Sequence, residues 1–296
     1  MNKKQTKFLT CRDHTVSKEY FDLIFDKDLE MLITSPKPKE SELAGYYESE
    51  DYISHTDSSK SLFDRVYQFV KNYTIKKKVD LINSFSVENR SVLDIGCGTG
   101  DFLAACKKNG WSVSGVEPNE KARELAVNKI GQLNGDSKKV HLEEQMDNLQ
   151  KEFSETKEFD VITMWHVLEH VPDLKDYILK LKDLLKPNGV LIIAVPNFKS
   201  YDAEHYGKFW AAYDVPRHLW HFSQSAIGSL FLRVNLKVIK TLPMKFDAYY
   251  VSLLSEKNRS NSTNAIKAFY RGLVSNFKAR KTKEYSSLIY ILKNSE

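Results

Sequence analysis

The stretch Val92-Leu93-Asp94-Ile95-Gly96-Cys97-Gly98-Thr99-Gly100 joins an apolar segment to a glycine-rich turn. Glycines let the backbone pass close to a ligand and adopt a positive φ. In open α/β sheets, ligands bind at the carboxyl ends of the strands, where a turn of this kind lies between a strand and a helix. The stretch therefore predicts a buried strand, a following helix and a ligand site between them.

The spacing and charge of this stretch favour one class of ligand. Its glycines follow the pattern G-x-G-x-G, whereas the dinucleotide fingerprint is G-x-G-x-x-G. Asp94 at the strand end would repel a pyrophosphate but attract the ammonium and sulfonium groups of S-adenosylmethionine (SAM). Glu117, 23 residues later and followed by Pro118, ends the next predicted strand. There it can accept hydrogen bonds from ribose hydroxyls, as in dinucleotide enzymes.

Apolar periodicity predicts alternating strands and helices from residue 91 onward, and hence a parallel sheet. The predicted strands are 91–95, 112–116, 140–143, 159–165, 190–195, 236–242 and 286–292. The predicted helices are 60–84, 101–109, 119–130, a helix capped by Asp173, and a helical insertion at about 245–283. Residues 1–58 look polar and irregular and form a separate cap region, which leaves 59–296 as the ligand-binding domain.

Three motifs together resemble class I SAM-dependent methyltransferases, including the ubiquinone-type O-methyltransferases. They are the Asp94 to Gly100 loop with Glu117, the segment Val167-Leu168-Glu169-His170-Val171-Pro172-Asp173, and Leu185-Lys186-Pro187-Asn188-Gly189-Val190. The resemblance covers about residues 88–240. It implies a Rossmann-like α/β fold in which a seven-stranded, mostly parallel sheet carries helices on both faces and has an antiparallel last strand.

A narrower resemblance links residues 210–222 to uncharacterised bacterial methyltransferases that carry an N-terminal zinc ribbon. The positions of the ribbon's second Cys-x-x-Cys pair are here Asp26 and Leu29, and only Cys11 remains from the first pair. One thiolate does not make a four-ligand zinc site. We therefore expect no metal, and an N-terminal cap that is a degenerate form of the ribbon.

Methyl transfer from SAM is an in-line displacement that needs alignment and, for a hydroxyl acceptor, removal of a proton. Histidine is the natural base near neutral pH, so His166 and His218 are the candidate catalytic residues. A lone histidine is more often structural. The candidate substrate contacts are Tyr213, His221 and Arg217. The alternative for Arg217 is an ion pair with Asp202 or Asp214.

Several further residues are expected to line the cofactor. Met146 follows the third predicted strand and can pack on the adenine ring, and Trp165 can contact the methionine part of SAM or belong to the core. Cys97 fills space inside the glycine loop and is not expected to be reactive. Tyr46, Tyr47 and Tyr52 are expected to form a lid, with coverage of a sheet face as the alternative.

Composition limits the rival functions. The 296 residues carry a formal net charge of +5, too little for a nucleic-acid scaffold, and the longest apolar run is far short of the ~20 residues that span a bilayer. Three cysteines and no apolar leader segment favour the cytoplasm. We expect a small-molecule acceptor, methylated on oxygen, and no nucleic-acid partner. The alternatives are a NAD-type oxidoreductase and a non-catalytic SAM-binding module.

Overall fold

The computed structural model describes residues 4–47, 62–133, 141–152, 159–262 and 264–295. It opens with three antiparallel strands, β1 (Gln5–Arg12), β2 (Tyr20–Asp26) and β3 (Met31–Ser35). The expectation of an irregular N-terminal region is therefore wrong. In β2, Phe21 and Leu23 are buried while Tyr20 is exposed, so a short period-two pattern builds the sheet within a mostly polar segment.

The helices that follow are α1 (Glu40–Leu43), α2 (Leu62–Asn83), α3 (Asp101–Lys108), α4 (Glu120–Gly131), α5 (Met146–Glu152), α6 (Leu174–Leu184), α7 (Tyr201–Tyr206), α8 (Gln224–Leu232), α9 (Asp247–Ser260) and α10 (Ala265–Thr282). The strands between them are β4 (Ser91–Ile95), β5 (Ser112–Val116), β6 (His141–Glu143), β7 (Phe159–Trp165), β8 (Leu185–Pro196), β9 (Trp220–His221), β10 (Leu236–Pro243) and β11 (Ser287–Asn294). Where an element was predicted, its observed bounds lie close to the predicted ones, whereas α1, α5, α7, α8 and β9 were not predicted.

Seven of these strands form one sheet in the order β10-β11-β8-β7-β4-β5-β6. The pairs from β8 to β6 are parallel, and β11 runs antiparallel to both β8 and β10. The predicted seven-stranded sheet with an antiparallel last strand is confirmed. Its central strand β7 and the segment Val190–Pro196 of β8 are almost wholly buried, because a parallel sheet is covered on both faces.

Strand β8 differs most from its prediction, because it begins at Leu185 and not at Val190. Its register with β7 shifts between the pairs Phe159–Leu185 and Val161–Val190. The Pro187-Asn188-Gly189 segment lies within this irregular part of the strand. Helix α6 itself begins as predicted, since the Asp173 side chain accepts a hydrogen bond from the Asp176 N–H.

The N-terminal strands join the rest of the chain through β9. Leu32 and Ile33 of β3 pair with His221 and Trp220. The N-terminal sheet is thereby fixed beside the segment that follows β8. The proposed domain boundary at residue 58 falls outside the described residues, so the division into two domains stays a prediction.

The helical insertion is confirmed as α9 and α10, which lie between β10 and β11. Helix α10 buries a stripe of small residues, Ala268, Gly272, Ser275 and Ala279. A Cβ atom at Gly272 would lie 2.7 Å from the Tyr249 ring, so the glycine permits the close approach of α9. Helix α9 places Asp247 beside His166, which directly follows strand β7. Among the described residues, no helix is long and apolar enough to cross a membrane.

Candidate active site

The glycine loop after β4 adopts the backbone that its glycines predict. Gly96 and Gly98 have φ angles of 70° and 53°. The Gly96 and Cys97 N–H groups donate to the Val116 carbonyl over 2.7 and 3.0 Å, which ties the loop to β5. A Cβ at Gly96 would lie 2.5 Å from the Val167 side chain, whereas one at Gly98 would have no described atom within 4 Å. Gly98 therefore faces open space, where a ligand can approach the backbone.

Glu117 lies directly against this loop. One carboxylate oxygen accepts a hydrogen bond from the Gly98 N–H at 2.8 Å, and the other accepts one from the Asn119 N–H at 2.9 Å. Each carboxylate oxygen can accept more than one hydrogen bond, so acceptor capacity remains for ribose hydroxyls. Pro118 follows as an exposed residue. Gly100, at the end of the loop, has a φ of 75° and begins helix α3.

Asp94 is buried at the carboxyl end of β4, where it accepts a hydrogen bond of 2.6 Å from the Thr163 hydroxyl. Burial raises the pKa of Asp94 to about 7, against the opposing effects of Thr163 and the Lys78 ammonium. Lys78 lies 4.2 Å from the centre of the Trp165 ring, and burial lowers its pKa. The site thus holds a carboxyl group whose negative charge a cationic ligand would stabilise.

The other predicted cofactor residues lie in or near the core. Trp165 is half-buried and packs edge-on against Phe102, with ring centres 5.7 Å apart. Met146 is buried with Leu149 at the start of α5. Burial raises the pKa of the Cys97 thiol, which agrees with an unreactive filler. Contacts of Met146 and Trp165 with SAM stay predictions.

His166 is held between two carboxylates. Its Nε2 lies 2.9 Å from an Asp247 oxygen, and its Nδ1 lies 3.4 Å from Glu169 Oε1. Burial alone would lower the pKa of His166, but the two carboxylates raise it to about 10. The imidazole is therefore protonated at neutral pH. This state has no lone pair to accept a proton, so the geometry does not support His166 as the base.

Glu169, His170 and His218 form a buried cluster beyond the end of β7. Each offers one ligand atom, and these atoms all lie within 4.8 Å of one another, so this group could hold a metal ion. The two imidazole rings are 4.5 Å apart. Burial and the neighbouring His218 lower the pKa of His170 to about 4. Burial opposes the charged form of Glu169, yet contacts with His166 and the other histidines hold its pKa below the usual value.

The predicted substrate contacts Tyr213 and His221 are buried. The Nε2 atom of His221 lies 3.0 Å from the Thr34 hydroxyl, which donates to the His218 carbonyl at 2.6 Å. Tyr213 packs edge-on against His221 with ring centres 5.5 Å apart. Both residues connect the N-terminal sheet to the main domain. Because their side chains are enclosed by these contacts, the structure does not support a direct role in substrate binding.

Arg217 is also buried, and its donors are used within the protein. The guanidinium binds both oxygens of Asp214 and donates to Asp13 at 3.2 Å. It also donates to the Thr15 hydroxyl and the Tyr46 carbonyl. The predicted contact with an acidic substrate is therefore not supported, and of the alternatives, the ion pair with Asp214 is the one that forms.

Part of the predicted lid covers the buried cluster. The Tyr47 hydroxyl lies 2.9 Å from His170 Nδ1, while the Tyr46 hydroxyl donates to Glu19. Tyr52 lies outside the described residues. The position of Tyr47 is compatible with a lid on the acceptor side, but opening and closing stay a prediction.

Sequence reasoning missed three residues of this region, Glu169, Asp247 and Lys78. Glu169 stands in a quoted motif, between the candidate base His166 and His170, and this placement was an available signal. Asp247 and Lys78 come from helices that pack against the sheet from distant parts of the sequence. No local pattern marks them, because their partners are set by packing.

Comparison with known proteins places this geometry in a family. A family model described as "Methyltransferase domain" matches residues 53–241. The ubiquinone biosynthesis O-methyltransferase of Pasteurella multocida (strain Pm70) is 38% identical over 115 residues, 36% of this chain and 47% of that protein. The enzyme of the same name from Hydrogenovibrio crunogenus is 31% identical over 128 residues, 42% of this chain and 51% of that protein. The chain thus spans about half the length of the curated relatives it matches.

Solved structures show the same fold at low sequence identity. Magnesium protoporphyrin IX methyltransferase from Synechocystis PCC 6803, with bound S-adenosylhomocysteine (SAH), superposes with a TM-score of 0.57 at 14% identity. The superposition covers 87% of this chain and 100% of that chain. The cyclopropane synthase MmaA2 from Mycobacterium tuberculosis gives a TM-score of 0.52 at 12% identity, with coverage of 87% and 99%. At these identities the similarity is one of fold.

Proposed function

The chain belongs to the methyltransferase domain family, and we propose that it transfers the methyl group of SAM to a small-molecule acceptor. The observation that carries this proposal is the juxtaposition of Gly98, Glu117 and Asp94 at the carboxyl ends of β4 and β5. The ribose of SAM binds at Glu117, the cofactor passes the backbone of Gly98, and its ammonium and sulfonium end lies toward Asp94. A dinucleotide would bring its pyrophosphate toward the same carboxyl group, which is unfavourable.

We propose oxygen as the methylated atom, since the curated relatives are named as O-methyltransferases. The acceptor approaches from the end of β7, near His166 and the cluster of Glu169, His170 and His218. Its oxygen attacks the methyl carbon, the carbon–sulfur bond breaks, and S-adenosylhomocysteine leaves. The acceptor loses a proton in this step. His218 stays a candidate for that side of the site, whereas the protonated His166 is not the base. The cytoplasm stays the predicted location.

A glycine substitution tests whether SAM lies against the loop. In Gly98→Ala, we expect a methyl group in the space where SAM approaches the backbone, and SAM affinity about 10–100-fold lower, or ~1.4–2.8 kcal/mol. Gly207→Ala is a matched control, because Gly207 has a φ of 50° and, like Gly98, no described atom within 4 Å of an added Cβ. Gly207 has a ψ of −128°, outside the left-handed helical region, so its strain is a stringent control. Circular dichroism checks that both variants fold, and calorimetric titration with SAM then separates strain from blocked binding.

The titration also discriminates between the rival functions. The wild-type protein is expected to bind SAM and not NAD. NAD binding without SAM binding would point to an oxidoreductase. Equal loss of SAM affinity in the two glycine variants would show that the loop does not contact the cofactor. Incubation of enzyme and labelled SAM with cell extract, followed by mass spectrometry of the products, tests catalysis. It identifies the acceptor, and its failure with intact SAM binding would favour the non-catalytic module.

SAM affinity is expected to increase with pH near neutrality. Burial raises the pKa of Asp94 from its ordinary value of 3.8 to about 7. A cationic ligand favours the carboxylate, so below that pKa binding must release a proton. Affinity should rise by up to ~10-fold per pH unit up to about pH 7 and then level off. Calorimetry in buffers of different ionisation enthalpy measures the released proton. Asp94→Asn should remove the release, and a proton uptake instead would contradict this assignment.

A further inference from the structure

The cluster of Glu169, His170 and His218 contains hydrogen-bond acceptors without a matching donor. The Glu169 side chain is only 1% exposed, and neither of its oxygens has a hydrogen-bond partner among the described residues. Its contact with His166 Nδ1 is an ion pair at 3.4 Å, longer than a hydrogen bond. The protonated His166 offsets part of the Glu169 charge from one side, whereas the carboxylate still has room for a ligand on the side of the two other histidines.

The two histidines can add nitrogen lone pairs to this cluster. His170 Nδ1 lies 3.1 Å from the Arg217 carbonyl, and His218 Nδ1 lies 2.8 Å from the Ala212 carbonyl. A carbonyl oxygen only accepts, so Nδ1 carries the hydrogen in the neutral His218 ring. In the His170 tautomer that can bind a metal, the Nδ1–H faces both the Arg217 carbonyl and the Tyr47 hydroxyl oxygen, which lies 2.9 Å away. The Nε2 atoms then hold the lone pairs. Metal-binding histidines are oriented in this way, with one ring nitrogen donating to a backbone carbonyl and the other facing the ion.

We propose that Glu169, His170 and His218 bind a divalent transition-metal ion of the zinc class. Two imidazoles and one carboxylate are a common ligand set for zinc, and a fourth position stays open. The ligand atoms lie within 4.8 Å of one another. Tetrahedral coordination with bonds of about 2 Å requires about 3.4 Å, so the ion draws the three side chains together. This site replaces our expectation of no metal, which rests on the N-terminal cysteines alone.

The role of the ion rests on the proposed methyl transfer, whereas its binding does not. The open position accepts the acceptor's oxygen beside SAM. Coordination lowers the pKa of that hydroxyl group, and the proton leaves to solvent. The resulting oxygen anion attacks the methyl carbon while the bond to sulfur breaks. His218 then acts as a ligand and not as the predicted base.

Metal binding can be tested on the full chain without SAM or acceptor. The protein is treated with a chelator, dialysed, and titrated with Zn²⁺ and with Co²⁺ by calorimetry and absorption spectroscopy. We expect one ion per chain, with cobalt ligand-field bands of a nitrogen and oxygen site. Glu169→Gln, His170→Asn and His218→Asn should each weaken binding at least ~100-fold. His14→Asn is the control, because His14 lies in the N-terminal sheet region outside the cluster.

Three outcomes would overturn the site. They are no stoichiometric binding by the wild-type chain, equal affinity in the cluster variants and the His14 variant, or a thiolate-to-cobalt band that assigns the metal to a cysteine. SAM titration and circular dichroism confirm that each variant is folded, since the glycine loop does not depend on these side chains. If a variant does not fold, the wild-type stoichiometry and cobalt spectrum still show whether the chain binds a metal ion through nitrogen and oxygen ligands. Metal binding without SAM binding would separate failure of the proposed function from failure of this site.

Discussion

Arg217→Ala is expected to lower the free energy of unfolding by about 3–5 kcal/mol. Arg217 is 4% exposed and neutralises Asp13, which is fully buried, and Asp214. Removal of the guanidinium leaves the buried Asp13 carboxylate near the partly exposed Asp214 carboxylate without a counter-charge. The same side chain donates to the Tyr46 carbonyl, so the N-terminal segment also loses a link to the main domain. Chemical denaturation followed by fluorescence measures the change.

Two further variants make the reason for this loss specific. Arg217→Lys keeps the charge but cannot reproduce the planar fork that binds both oxygens of Asp214, so we expect an intermediate loss. Arg233 is exposed at the end of α8, and Arg233→Ala should change stability by less than ~0.5 kcal/mol. A loss below ~1 kcal/mol in Arg217→Ala would mean that water solvates the two carboxylates, and would contradict the buried ion-pair network.

Glu117→Ala is expected to raise the dissociation constant of SAM about 100-fold. Hydrogen bonds to a charged group contribute about 1.5–3 kcal/mol each, and loss of two ribose contacts, partly compensated by water, corresponds to about 3 kcal/mol. The variant also removes the acceptor of the Gly98 N–H, which helps to fix the loop. Glu117→Gln retains one oxygen acceptor and should lose less. Calorimetric titration with SAM gives the constants.

The control for Glu117 is a nearby carboxylate that does not touch the loop. Glu120 is exposed in the first turn of α4, and Glu120→Ala should leave SAM affinity within about threefold of the wild type. If Glu117→Ala also stayed within that range, the ribose would not bind at this carboxylate. The orientation proposed for SAM would then have to be reversed or abandoned.

The predicted site residues fall into two groups: those whose surroundings come from nearby residues in the sequence, and those whose surroundings come from distant segments. Asp94, Gly98 and Glu117 lie at the strand ends and in the glycine turn where the sequence predicts them, because local patterns fix those positions. The catalytic role predicted for His166 and the substrate contacts predicted for His221 and Arg217 are not supported by the structure. Asp247 of the helical insertion and Glu169 together keep His166 protonated, and Arg217 forms an ion pair with Asp13 of the N-terminal segment as well as with Asp214. The sequence offered Asp214 as a partner because it is near in the chain.

The order of strands and helices, the glycine loop and its flanking carboxylates are determined by the sequence alone. Apolar periodicity and turn chemistry act over a few residues, so they can be read without knowledge of the fold. The tertiary structure decided which charged and polar groups meet. The convergence of Glu169 with His218 and the burial of Arg217 depend on segments far apart in the chain. Solvent exclusion and the competition among partners then set protonation and donor use, and no local pattern encodes them.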